Sequence, residues 1–158
     1  SPGTVVLSRD TFKAVLTDMS NSLKSQGFKD VVMIGDSGGN LAPMKDAAEA
    51  LNTAWAGSGA RVHFIPEYYN YADVEAFEER ELGIHEKMEG LHDDYYISAI
   101  ISTVSTDAIR MPERVKAGKF AINGVPLAPI EKTIANGKRM VEFRTKVSVD
   151  AIRASMAR

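Results

Sequence analysis

At 158 residues, 44% of them hydrophobic and 25% charged, the chain has the composition of an ordinary globular domain with material for one core. A net charge of -2 with no Lys or Arg block removes any general attraction to nucleic acid or to anionic lipid, so neither nucleic acid nor membrane is an expected partner. The absence of cysteine excludes disulfides, thiolate nucleophiles and thiolate metal sites, and any metal must be held by His, Asp or Glu. No apolar run approaches the roughly 20 residues that cross a bilayer, and the first residues lack a basic start and an apolar signal core. A cytoplasmic and a periplasmic location both fit.

The chain opens on Ser1-Pro2-Gly3-Thr4, which reads like the middle of a domain, and Val5 to Leu7 is a short extended lead-in. Ser8 is an N-cap for a helix starting near Arg9, with Phe12, Val15, Leu16, Met19 and Leu23 spaced by three and four along one face. Gly27 ends that helix and Phe28 can pack back on it. Val31-Val32-Met33-Ile34 then reads as a strand buried on both faces, because a one-sided strand alternates with polar residues. Gly35, Gly38 and Gly39 let the chain turn at the strand's carboxyl end, where open parallel sheets place their sites, and bring Asp36, Ser37 and Asn40 to that corner.

Leu41, Met44, Ala48, Leu51 and Trp55 mark the buried stripe of the next helix, capped by Asn40, with Pro43 in its first turn and Gly57-Ser58-Gly59 closing it. Arg61 to Pro66 is a second strand. Strand, helix and strand make a right-handed crossover, so the two strands lie parallel in one sheet. Glu67-Tyr68-Tyr69-Asn70-Tyr71 leaves on the side of the glycine corner, and residues 72 to 82 are acidic and weakly helical. Two of the three histidines, His85 and His92, follow among acidic residues. Tyr95 to Val104 is a nearly all-apolar, buried helix, and residues 107 to 117 form a short helix ending at Gly118. Phe120 to Ile122 is extended before a turn at Asn123-Gly124, and Ile130, Ile134, Gly137, Val141 and Ile152 continue a helical stripe with a break near residues 145 to 149. Residues 1–158 read as one domain, without an internal repeat or a linker.

Two groups of residues carry chemistry. Gly35-Asp36-Ser37-Gly38-Gly39 fits G-x-S-x-G between a strand and a helix, the setting of a nucleophile elbow with Ser37 as nucleophile and His85 or His92 as base. A tight turn whose Ser and Asn satisfy free helix amides explains the same glycines. The acidic group around His92, with Glu89, Asp93 and Asp94, offers nitrogen and oxygen donors to zinc or manganese, or a general acid or base; as a solvated segment before a buried helix it is equally regular. His63 lies in a strand and reads as a packed or surface-facing residue rather than a catalytic one.

Pro2-Gly3-Thr4, Phe12, Leu16, Leu23, Gly27-Phe28, Val31-Val32, the corner Gly35 to Asn40 and the helix after it resemble, in order and spacing, the middle of the creatininase (creatinine amidohydrolase) family. Members there run a strand into Asn-Gly-His-Gly-Gly-Asn and place a histidine shortly before a Glu-Thr-Ser that opens a buried helix. Here His92 precedes Ile97-Ser98, and Arg110-Met111-Pro112-Glu113-Arg114 follows, so the likeness covers roughly residues 2 to 115. Ser37 stands where the family has its metal-binding histidine, Asp36 where it has glycine, and Ile97 where it has the glutamate of Glu-Thr-Ser. The family's earlier Glu-x-His and Asp segment has no counterpart, so the chain reads as the carboxyl-terminal portion of a longer domain.

The resemblance implies a three-layer α/β/α sandwich with a mainly parallel sheet, and a metal-dependent amidohydrolase acting on a C–N bond of a small amide or cyclic amide. It implies a divalent ion, zinc or manganese, on Asp36, Glu67, His92 and Asp94; catalytic roles for His92, Asp36 and Glu89; and substrate contacts from Ser37, Gly38, Gly39, Asn40 and Tyr68. It also implies a homo-oligomer, the hexamer being one such state, which would cover an exposed sheet edge. Two rival readings are a serine hydrolase built on Ser37, and a catalytically degenerate member with a binding or assembly role.

Overall fold

The structure is a computed structural model that describes residues 3, 5–86 and 94–157. They fall into two compact units: residues 1–69 with 147–158, and residues 70–146. Each is built from its own core.

The first unit begins with α1 (Arg9–Ser25), which starts where the sequence predicts because the Ser8 hydroxyl accepts the Thr11 amide hydrogen at 3.2 Å. It ends in a Schellman pair, Gly27 N–H to Lys24 O at 3.0 Å and Phe28 N–H to Leu23 O at 3.2 Å, with Gly27 at a φ of 95° that favours glycine. Phe28 does not fold back; it is 55% exposed. The inward face is also narrower than expected. Phe12, Leu16 and Leu23 pack on the core together with buried Ser20, whereas Val15 and Met19 lie on the flank in solvent.

β1 (Asp30–Met33) and β2 (Arg61–Phe64) pair in parallel, with Val31 opposite Val62 and Val32 opposite His63. The crossover between them is α2 (Gly38–Ala54), as the strand-helix-strand pattern requires. Buried Met44, Ala48, Leu51 and Trp55 of this helix region close on Val31, Met33 and Val62, with Phe12, Leu16 and Leu23 of α1 at the rim. Asn52 completes the arrangement: its side chain donates to Val62 O and accepts from Val62 N, at 2.9 and 2.8 Å, as a further strand would.

Two expectations fail here. β1 is not buried on both faces, because Val31 and Met33 point into the core while Val32 and Ile34 stay 38% and 48% exposed; an apolar run met a sheet covered on one side there. Nor does Asn40 cap α2. Ser37 is the N-cap and the helix starts at Gly38, so Pro43 sits in the second turn, where it cannot donate to the Gly39 carbonyl. The described sheet has two strands, an α/β arrangement, and the full three-layer sandwich is not formed by the described residues. On the side of β2 away from Val62, His63 is covered by the last turn of α6 (Ile130–Met156).

The second unit holds α3 (Tyr71–Phe77), which runs into a π-helical turn at Glu78–Leu82, then α4 (Tyr95–Ser102), α5 (Met111–Lys116) and most of α6. Between α5 and α6, β3 (Ala121–Ile122) and β4 (Val125–Pro126) form a hairpin whose corner residues Asn123 and Gly124 both have positive φ, as a two-residue turn demands. Tyr95, Tyr96 and Ala99 of α4 meet Met140 of α6 in the core, and Phe77 stacks on Phe143 at 4.6 Å. α6 continues through residues 145–149 without the expected break. None of the helices among the described residues is long and apolar enough to cross a membrane.

Gly137 sets the approach of α4 and α6. A Cβ there would stand 2.1 Å from Ala99 O and 2.9 Å from Thr103 Cγ2, and the first of these is backbone that cannot turn aside. Gly137→Ala should therefore destabilise the protein by about 1–3 kcal/mol in urea denaturation, despite the roughly 1 kcal/mol that alanine gains in an open helix. A variant as stable as the parent would mean that the two helices do not touch at this residue.

Candidate functional site at the carboxyl end of the strand pair

β1 and β2 deliver their polar residues to one edge because they run parallel and in register. Ile65 N–H donates to Met33 O at 3.0 Å, so Asp36 after β1 and Glu67 after β2 both leave from the carboxyl end of the pair. Gly35 sits close over α2: a Cβ there would lie 2.7 Å from Met44 Sδ and would have to displace the end of that side chain. Gly38 faces Tyr69, whose hydroxyl would be 3.3 Å from a Cβ. The aromatic side chain against the start of α2 is thus Tyr69, which the sequence did not single out, while the expected substrate contact Tyr68 is half-buried in the turn Pro66–Tyr68.

In front of the corner lies an open groove of ≈550 Å³, walled by Val5, Leu7, Phe12, Ser37, Asn40 and Pro43. Its apolar side comes from the lead-in segment and its polar side from the first turn of α2. That turn carries the positive end of the helix dipole, and Pro43 leaves the Gly39 carbonyl without its usual i+4 donor.

Ser37 does not have the geometry of a nucleophile elbow. Its φ of -151° and ψ of 132° are ordinary extended backbone, and its hydroxyl makes no cap bond. His85, its expected base, belongs to the other unit, where it is exposed and 3.8 Å from Glu79. The only described histidine of the first unit is His63, and its two ring nitrogens are engaged elsewhere, by Asp30 and Ser155. The serine-hydrolase reading of the corner has no support in these contacts.

The expected metal ligands are distributed as follows. Asp36 and Glu67 are exposed residues of the first unit. Asp94 is a buried residue of the second, where its Oδ1 accepts the Ile97 amide hydrogen at 2.8 Å and caps α4. His92 and Glu89 lie outside the described residues. Among the described residues no group of three or more His, Asp or Glu side chains is gathered to hold an ion, so those residues alone do not fit zinc or manganese.

The second unit contains a titratable group that sequence reasoning missed. Glu78 opens the π-helical turn with 3% of its surface exposed, and its Oε1 has no hydrogen-bond partner. Burial, and then the neighbouring carboxylates of Glu86, Asp94 and Glu75, raise its pKa from the ordinary 4.5 to about 8. Glu86 is fixed nearby: its Oε1 accepts from Tyr95 N–H and, at 2.8 Å, from Asn123 Nδ2. Only Glu75, three residues earlier, is a local neighbour; Glu86 and Asp94 come from further along the chain, so no local spacing signals this acid.

The family model described as creatinine amidohydrolase matches residues 1–143. The chain belongs to the creatininase family. No curated protein and no solved structure matches it. Membership in the creatininase family accounts for the α/β arrangement and for the glycine corner between β1 and α2, and it suggests amidohydrolase activity.

Glu78 gives a pH test of the second unit. At neutral pH the folded protein holds a proton on this carboxyl that the unfolded chain has released, so the stabilisation is complete below pH 4.5 and drains away as pH rises through about 8. The melting temperature should therefore fall between pH 5 and 8.5, and Glu78→Gln, neutral at every pH, should flatten that fall. Parallel slopes for parent and variant would show that Glu78 titrates normally.

Proposed function

We propose that the protein hydrolyses a C–N bond in a small amide or cyclic amide at the glycine corner. The observation that carries this reading is the coincidence of the creatininase match over residues 1–143 with an open groove directly before α2, at the edge where parallel sheets place their sites. The substrate's apolar part rests against Val5, Leu7 and Phe12. Asn40 and Ser37 orient its amide, and the Gly39 carbonyl accepts from an amide N–H. Asp36, an exposed carboxylate beside the groove, serves as the proton-transfer group: water adds to the carbonyl carbon, the C–N bond breaks, and nitrogen departs as the amine with the proton taken from water.

The negative oxygen that forms during addition is stabilised by the amides and the dipole of α2. A divalent ion on Asp36, Glu67, His92 and Asp94, with Glu89 as a further acid, belongs to the proposal by family resemblance alone, and no step above is routed through it. Assembly into a homo-oligomer is part of the same reading, supported by the exposure of Val5, Val6, Val32 and Ile34, which a second subunit would cover.

The test is turnover of a panel of linear and cyclic amides, creatinine among them, followed by ammonia or amine release. Asp36→Ala should lower kcat by about 100-fold or more, and Asn40→Ala should mainly raise KM, both with native circular dichroism. Activity on no amide, or full activity in Asp36→Ala, would overturn the proposal. Elemental analysis after exhaustive dialysis addresses the ion: zinc or manganese retained at about one per chain and lost in Asp36→Ala supports the ligand set, and full activity in metal-free protein rules it out.

A further inference from the structure

At the opposite, amino-terminal end of the same strand pair, His63 is held between two polar side chains. Its Nδ1 lies 2.8 Å from Ser155 Oγ and its Nε2 lies 3.0 Å from Asp30 Oδ1. The imidazole is 2% exposed, Asp30 keeps 47% of its side chain in solvent, and Ser155 is half-buried in the last turn of α6. A carboxylate only accepts, so Asp30 places the ring hydrogen on Nε2 and leaves Nδ1 as the acceptor of the serine hydroxyl. The fixed tautomer leaves the Nδ1 lone pair directed at the serine hydroxyl, the orientation of a general base.

A cavity of ≈590 Å³ adjoins this relay, with Asp30, His63, Arg61, Gly57, Gly59 and Met156 in its wall. Gly57 and Gly59, which bend this wall, both have positive φ, a conformation that favours glycine.

The geometry points to Ser155 as a nucleophile activated by His63 and Asp30, acting on small acyl esters at a site separate from the glycine corner. Ser155 Oγ attacks the acyl carbon while its proton passes to His63 Nδ1. The tetrahedral adduct collapses by breaking the bond to the alcohol oxygen, which leaves with that proton, and water then releases the acid from Ser155 by the same path. Water is the only co-reactant. The arrangement is the logic of a Ser-His-Asp relay with the two ring nitrogens exchanged.

The full chain treated with a fluorophosphonate probe should give an adduct that peptide mass spectrometry places on Ser155, and p-nitrophenyl acetate should give a burst of about one nitrophenolate per chain. His63→Asn should slow adduct formation by about 100-fold or more, and Asp30→Asn, at a half-exposed position that tolerates an amide, should slow it by releasing the tautomer. No Ser155 adduct on natively folded protein overturns the inference, as does an adduct formed at the parent rate in Asp30→Asn or His63→Asn. Loss of thermal stability in Ser155→Ala without any labelling of the parent would mark the relay as a structural clasp between β2 and α6. Amide turnover at the corner does not enter these readouts, so either reading can fail alone.

Discussion

Two parallel strands cannot be joined by a tight turn; the chain must leave one end of the first and return to enter the second from the other. In the first unit that single constraint places α2 between β1 and β2, and the chain turns from strand to helix at Gly35 to Ser37. The bend is tight because α2 packs Met44 directly beneath it, 2.7 Å from where a side chain at Gly35 would begin. Everything polar at the carboxyl edge follows from this. Asp36 and Glu67 emerge together because the strands are in register, and the first turn of α2 lines the groove at that end.

The strand pair thus offers two chemically different ends. The carboxyl end is open, lined by apolar lead-in residues and by the first turn of α2, whose positive dipole end suits a neutral substrate that gains negative charge as it reacts. The amino end holds a buried imidazole whose tautomer is imposed by a carboxylate, beside a cavity walled by Asp30, Arg61 and Met156. The second unit has a different character: a helical core set by the close crossing at Gly137, with a proton-holding Glu78 enclosed among other acids. Through Glu78 its stability falls as pH rises from about 4.5 to about 8.

Local signals were legible wherever a backbone rule acts within a few residues. Ser8 starts α1 and Gly27 ends it because a hydroxyl cap and a left-handed residue satisfy amides and carbonyls only a turn away. Asn123-Gly124 makes its hairpin for a similar reason. Errors began where burial depends on what arrives from far along the chain. Val31 to Ile34 looked like a doubly covered strand, yet nothing among the described residues covers Val32 and Ile34 fully. Pro43 looked like a first-turn residue, but the close packing of Met44 under Gly35 accompanies a helix that starts at Gly38.

The same division runs through the chemistry. The order of motifs in the sequence alone determined the family, the strand-helix-strand unit and the glycine corner, because each is written in contiguous residues whose conformations are set by neighbours. Only the tertiary structure decided which side chains meet. It gave His63 to Asp30 and Ser155 across 33 and 92 residues of chain, surrounded Glu78 with acids from other segments, and left Ser37 in plain extended backbone. Hydrogen bonds and desolvation act through space, and separation along the chain carries no record of distance once the core has closed.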